Sequence, residues 1–383
     1  MSVARKNANG EGTIYPRRNK NGKITSYRAS YWVQTPQVRM RRYISAKKRE
    51  DVAKKLRKVL SEMDSGLVFD AEPLTLEEHL DRWLNDSIKG AVRTSTHQRY
   101  EQIVRLHLIP VIGCLKLKDL APGHVQRLYR GRLDSGLSSG TVRKIHNVLH
   151  KALSQAMRWK LVTQNVTEMT DPPRENPKEI NPLSPEEAHR FLEAARGDPL
   201  EALYVLAVHT GMRQGELLAL KWDDIDLENS VVNVSRTLTK DKGKLLFGEP
   251  KSAKGRRRVD LTKAAVESLR NHVSRQMDEI ARLGDLYQDQ GLVFTTDTGA
   301  PVNPSNLRQR SLVKLLEKAG LRKIRFHDLR HTCATLLLRR EVHPKFVQEL
   351  LGHANIEMTL GRYSHFIPGM GRRTAQAMEE IFS

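Results

Sequence analysis

Cysteine is nearly absent from this 383-residue chain, and the two that occur, Cys114 and Cys333, stand far apart with no CxxC spacing. That excludes a disulfide framework and a thiolate zinc site, and points to a reducing, cytoplasmic setting. Long apolar runs are missing too. None approaches the roughly 18 residues that cross a bilayer, so an integral membrane protein is not expected. The start, Met1-Ser2-Val3-Ala4-Arg5-Lys6-Asn7, is basic but no apolar stretch follows it, which argues against a secretory signal. Acidic residues are the most telling shortage. There are 44 Asp and Glu against 65 Lys and Arg, a formal net charge of +21. Such an excess implies a polyanionic partner, nucleic acid before an anionic membrane surface. There are no internal repeats and no long low-complexity segments.

What is there is unevenly placed. Residues 1–65 carry 17 Lys and Arg and 5 Asp and Glu, so 17 − 5 = +12 of the total sits in this first stretch. Thr13-Ile14-Tyr15-Pro16-Arg17-Arg18, Ser26 to Val33 and Val38 to Ile44 read as strands, with Asn19 to Lys23 as a turn and a helix from Lys47 to about Met63. Alternation puts Arg17, Arg18, Arg28, Arg39 and Arg41 among apolar residues, so one sheet face is expected to be basic and the other to pack on the helix. A small sheet of this kind fits a major groove; the ordinary alternative is a solubilising domain. After a linker at 67–73, four helices are expected: Thr75 to Ile88, Thr94 to Ile109, Ala121 to Ser135 and Ser139 to Trp159. Arg93, Arg99, Arg143 and Lys144 lie on them, either facing phosphates or simply solvated. Asp171-Pro172-Pro173-Arg174-Glu175-Asn176-Pro177 is the clearest boundary, because consecutive prolines end a helix. Beyond it helices are expected to Ala195, at Leu200 to His209, to Leu220, Ala264 to Arg282, Asn303 to Lys318, Phe326 to Arg339 and 344–351. Strands at Val231 to Val234 and Arg257 to Leu261 flank a Gly/Lys-rich stretch at 240–256. The length and these breaks imply roughly three domains, at 1–66, 74–168 and 178–383. The fold class is mainly α with small β-sheets: an N-terminal three-stranded sheet plus helix, a helical domain, and a mixed, mostly-α domain with a small antiparallel sheet or hairpin.

The chemistry gathers in the last domain. Arg213 lies in Thr210-Gly211-Met212-Arg213-Gln214-Gly215-Glu216-Leu217, at the end of an apolar helix where a side chain can point into a cleft; taken alone, its ordinary reading is a surface arginine. Glu216 pairs with it or caps a helix. His327 and Arg330, three apart, share a helix face and offer a proton carrier beside an anion clamp. His327 and His331 as a metal pair is the rival reading, but no third ligand of the HExxH kind accompanies them, so no metal and no cofactor are expected. His353 follows Leu351-Gly352, as a helix cap or a site residue. Tyr363 follows in Leu360-Gly361-Arg362-Tyr363, as a buried anchor or a nucleophile activated by nearby cations.

In this order and context these residues resemble the catalytic domain of the tyrosine recombinases, the phage-integrase family. The resemblance covers about 180 to 370, extends over 74 to 165, and reaches the N-terminal module through its composition and its Gly-Thr-Ile-Tyr start. It implies that residues 1–66 bind arm-type and 74–168 core-type DNA sites. It assigns the family's two arginines to Arg213 and Arg330, the histidine of the second box to His327, a phosphate-bonding histidine to His353 and the nucleophile to Tyr363. His331 is then expected to pack or cap locally. The family's lysine, which protonates the leaving 5′ oxygen from a β-hairpin, falls on Lys251 in Glu249-Pro250-Lys251-Ser252, with Lys254 as the fallback. The implied reaction is cleavage through a 3′-phosphotyrosyl link without metal or ATP. The implied partners are double-stranded DNA at both site classes, a homotetramer assembled by exchange of the tail from Arg372 to Phe382 (the ordinary alternative being a tail docked on its own domain), and an excisionase or DNA-bending accessory protein. The basic N-terminal module favours an integrase of a phage or mobile element acting at the bacterial nucleoid. The rivals are a resolvase of chromosome or plasmid dimers, a type IB topoisomerase, and a DNA-binding regulator that no longer cuts.

Overall fold

The computed structural model describes residues 13–19, 22–34, 39–64, 74–174, 180–241, 243–250, 253–363 and 378–382. The chain divides into two compact units, Met1–Pro177 and Lys178–Ser383.

The first unit opens with an antiparallel sheet of β1 (Thr13–Arg18), β2 (Ile24–Gln34) and β3 (Arg39–Ala46), followed by α1 (Arg49–Asp64). Its register pairs Arg28 with Ser45, Ser30 with Tyr43 and Trp32 with Arg41, which sets these side chains on one face. The other face carries Ala29 and Tyr31, which pack with Val52 and Leu56 of α1. Sequence alternation therefore reads the two faces as they stand. The rest of the unit is a helical bundle of α2 (Leu76–Arg82), α3 (Thr94–Ile103), α4 (Ile109–Ile112), α5 (Pro122–Asp134) and α6 (Ser139–Arg158). Thr75 starts α2 with a reciprocal cap: its hydroxyl accepts the Glu78 N–H at 3.2 Å, and the Glu78 carboxylate accepts the Thr75 N–H at 2.8 Å. Trp83, Leu108, Tyr129, Ile145 and Leu149 fill the core. One boundary differs from expectation. The helical run from Thr94 passes through Pro110 to Ile112, because a wider π turn at Val104–Leu108 precedes it. Pro110, at the first turn of α4, has no N–H to lose there.

The second unit surrounds α8 (Glu201–Thr210), which is buried from Ala202 to Val208 on every side and so reads as a central helix rather than an amphipathic one. Before it lies α7 (Pro185–Ala195), capped by Ser184 and Glu187; after it comes the short α9 (Gln214–Leu217). Strands β4 (Ile225–Asp226), β5 (Val231–Val234) and, later, β8 (Arg257–Asp260) form one sheet. Between them β6 (Thr237–Asp241) and β7 (Lys244–Gly248) make a hairpin. That hairpin occupies much of the stretch read from composition as Gly/Lys-rich connection. The charged residues of the hairpin mask its short alternation. Further helices are α10 (Lys263–Leu283), α11 (Pro304–Asn306), α12 (Leu312–Lys318), α13 (Phe326–Arg339), α14 (Pro344–Leu351) and α15 (Glu357–Tyr363). The last of these is absent from the sequence reading. Among the described residues no helix is long and apolar enough to cross a membrane.

Candidate active site

The ends of two helices, α8 and α14, converge here, and two glycines make the convergence possible. Gly211 ends α8 in the left-handed region at φ +61, and a Cβ there would lie 2.5 Å from Leu351 Cδ2. Gly352 ends α14 at φ +63, where a Cβ would meet the Lys254 carbonyl at 2.8 Å. Both positions need positive φ and close backbone approach, which only glycine supplies without strain. The α8 end is thereby pressed onto the α14 end, and Arg330 of α13 bridges them. Its Nη1 donates to the Gly211 carbonyl at 2.8 Å and its Nη2 to the Leu351 carbonyl at 2.5 Å.

Arg213 stands just past Gly211 at the start of α9. Its Nη1 donates to Glu216 Oε1 at 2.6 Å, and its backbone N–H donates to Glu216 Oε2 at 3.0 Å. Both sequence readings of Glu216, ion pair and cap, are thus realised at once. Glu216 also takes Arg257 Nη2 at 3.0 Å. Arg257 is a site residue that sequence reasoning missed. It sits inside Arg256-Arg257-Arg258, and the β5–β8 register sets it opposite Val234, on the side of Val232 and Val259. It further donates to the Leu350 carbonyl at 2.6 Å. The alternation of a strand applied to that arginine triplet was the available signal.

His353 is buried and shares a 2.8 Å hydrogen bond between Nδ1 and the Thr359 hydroxyl. Lys254 donates from Nζ to the Ala354 carbonyl at 2.7 Å, beside the same turn. Lys251 lies outside the described residues. Tyr363 is fully buried with Ala334, Leu338, Val347 and Leu351. Its hydroxyl is 2.5 Å from His331 Nδ1. This corrects the expectation that His331 only packs or caps locally. The i, i+4 spacing from exposed His327 places both rings on one helix face, with centroids 4.8 Å apart and edge-on. The structure therefore brings Arg213, His327, Arg330, His353 and Tyr363 into one neighbourhood, with His331, Arg257 and Glu216 added.

Charge at this site is lopsided. Three guanidinium groups meet one carboxylate. Burial, then the repulsion of Arg213, pushes Arg330 down to about 9, which leaves it protonated at neutral pH. Burial opposes ionisation of Glu216, but Arg257 and Arg213 outweigh it and hold the carboxyl below its ordinary range. A partly desolvated cluster with surplus positive charge is a site for an anion such as a phosphodiester. Among the described residues no group of three or more His, Cys, Asp or Glu converges as a metal site.

The basic residues named from sequence sit as follows. Arg17 and Arg18 are exposed on β1, and Arg41 is exposed on β3. The Arg28 guanidinium lies 4.2 Å from the Tyr43 ring centre. Arg41 lies 5.8 Å from the ring centres of Trp32 and Tyr43. Arg39 begins β3 and its side chain lies outside the described set. Arg93 at the N-cap of α3, Arg99 in the middle of α3, and Arg143 and Lys144 on α6 are all exposed.

Comparison with known proteins gives the family. The phage integrase family model matches residues 181–368, and the phage integrase N-terminal SAM-like domain matches residues 75–132. A tyrosine recombinase XerC-like protein of Caldanaerobacter subterraneus subsp. tengcongensis is 31% identical over 363 residues, 90% of this chain and 92% of that protein. An integrase of Saccharopolyspora erythraea is 26% identical over 429 residues, covering 95% and 98% of the two. The Tn1549 transposon integrase, solved with transposon right end DNA, aligns with a TM-score of 0.69 at 22% identity, over 81% of this chain and 100% of that one. A lambda integrase tetramer bound to a Holliday junction aligns with a TM-score of 0.58 at 19% identity, over 96% of this chain and 99% of that one. Fold and relatives together define an enzyme that cleaves and rejoins DNA strands. The chain belongs to the phage integrase family, the tyrosine recombinases.

Proposed function

We propose that this recombinase is a site-specific integrase of a phage or mobile element, acting through a 3′-phosphotyrosyl intermediate at the bacterial nucleoid. The observation that carries the reading is the convergence of Tyr363 with Arg330, Arg213 and His353 around the joined ends of α8 and α14. Tyr363 attacks the scissile phosphate. Arg213, Arg330 and His353 hold the non-bridging oxygens and stabilise the charge that develops on them. His327 assists proton removal. Lys251 protonates the leaving 5′ oxygen, and Lys254 is the alternative donor. The bond energy is retained in the phosphotyrosine, so a second 5′ hydroxyl reseals the strand without ATP.

DNA contact is divided between two modules in this reading. The face of Arg28, Trp32, Arg41 and Tyr43 supports binding at an arm-type site, and Arg93, Arg99, Arg143 and Lys144 support binding at the core site. Linking two weak contacts raises affinity through effective concentration. Four protomers assemble through the C-terminal tail, of which residues 378–382 are helical and expose Met378, Ile381 and Phe382. The lambda integrase tetramer on a Holliday junction supports that number. An excisionase or DNA-bending protein sets the direction. A resolvase of chromosome or plasmid dimers is the second reading, favoured by the XerC-like name of one relative; recombination that needs no arm-type site would select it.

The test is a nicked DNA carrying a candidate attachment site, mixed with the full chain in chelator. The expected result is a denaturant-resistant adduct whose peptide carries the nucleotide on Tyr363. Tight, site-specific binding with no adduct would select the regulator instead. Within the same assay, Arg330→Lys keeps the charge but loses the fork that spans two carbonyls, and is expected to slow single-turnover cleavage about 10²-fold. A rate within a factor of about two of wild type would remove Arg330 from transition-state stabilisation.

A further inference from the structure

The geometry points to His331, rather than the box histidine alone, as the immediate proton acceptor for Tyr363. This inference rests on the tyrosine-nucleophile reading above and names a residue that reading leaves without a role. The phenol oxygen lies 2.5 Å from His331 Nδ1, and both side chains are buried, at 0% and 4% exposure. A short bond in a water-excluded setting is held more strongly than one in solvent. His331 is anchored on α13 one residue after Arg330, so the acceptor and the phosphate clamp share one rigid element. His327, one turn earlier and exposed, meets the His331 ring edge-on.

The step balances as follows. His331, as the Nε2–H tautomer, accepts the Tyr363 proton at Nδ1 and becomes an imidazolium. The freed oxygen pair forms the O–P bond. The P–O5′ bond breaks with its electrons on the 5′ oxygen, which takes a proton from the lysine donor. Resealing runs the steps backward, and the imidazolium returns its proton to Tyr363. Among the described residues, the charged and titratable groups recorded against His331 are His327 and Asp328 on its own helix and Tyr363 on α15.

His331→Asn tests the assignment, because an amide fills much of the ring's space near Nδ1 but does not take up a proton. The readout is the single-turnover rate of adduct formation on nicked DNA between about pH 6 and about pH 9. Wild type is expected to rise with pH and level off once His331 is neutral. The variant is expected to be about 10²-fold slower at neutral pH and to keep rising, so that its deficit shrinks toward alkaline pH. A deficit equal at every pH would make His331 a packing residue. An unchanged or faster rate would make the bond a latch that DNA releases. Either result overturns the proposal. Should His331→Asn melt early or fail to bind DNA, wild type carrying 3-fluorotyrosine at 363 decides. The acid limb stays in place if it belongs to His331, and moves to lower pH if it belongs to the phenol. Absence of any adduct from wild type would instead count against the tyrosine-nucleophile reading, and is thus distinguishable from failure of the His331 step.

Discussion

Phenylalanine at position 363 is expected to abolish the covalent DNA adduct, a loss on the order of 10⁵ or more, as when other enzymes lose a nucleophile. The change removes one oxygen and keeps the ring among Ala334, Leu338, Val347 and Leu351. Its structural cost includes the His331 Nδ1 left without its phenol partner, about 1–3 kcal/mol. DNA affinity is expected to stay within about threefold, since phosphate contacts by cations dominate it and none is altered. The separation of a lost reaction from retained binding is what identifies a nucleophile. The other buried tyrosines of this unit are poorly placed to substitute. Tyr204 shares a 2.7 Å bond with the Ser311 hydroxyl, and burial drives its phenol well above the ordinary range. Tyr287 is held by Gln276 and Thr295. Adduct formation by Tyr363→Phe at a comparable rate would place the nucleophile elsewhere in the chain.

What the sequence disclosed follows from which interactions are local. Arg213 with Glu216, and His327 with Arg330, are i, i+3 pairs, so helix geometry alone sets their relation and both were legible. The N-terminal sheet was legible because its period-2 alternation decides which residues meet α1. Arg257 was not, because its partners Glu216 and Leu350 lie 41 and 93 residues away. His331 was passed over for the same reason: its bond to Tyr363 spans 32 residues and depends on how α15 seats against α13. Pro110 misled in the opposite sense. It marks a helix end by local rule, and a π turn upstream overrode the rule. Glycines 211 and 352 were visible as punctuation, but their tight contacts with Leu351 and Lys254 belong to tertiary packing.

The same long-range network carries a large expected stability effect at Glu216. Its side chain is 2% exposed and takes bonds from Arg213 and Arg257, of which Arg257 is itself only 7% exposed. Glu216→Ala would leave Arg257 buried without its counter-charge, while the more open Arg213 regains water. The expected loss is about 3–5 kcal/mol, the cost of breaking a buried pair from one side. Removing both partners behaves differently, because apolar groups often replace a buried ion pair at little cost. Glu216→Ala with Arg257→Met is therefore expected to melt above Glu216→Ala alone. The pH dependence gives an independent check. Burial raises the Glu216 pKa, but Arg257 and Arg213 more than offset it, so the folded value lies below the ordinary 4.5. A depressed carboxyl pKa contributes stability that is fully present above the unfolded value and is lost as pH falls through the folded one. The difference in melting temperature between wild type and Glu216→Ala should thus be constant near neutral pH and narrow below about pH 4.5. A difference that persists unchanged in acid, or a double variant less stable than Glu216→Ala, would mean that shape rather than charge at Glu216 joins α9 to β8. In that event Arg213 would owe its position to the backbone turn at Gly211, and its orientation toward a phosphate would survive the loss of the carboxylate.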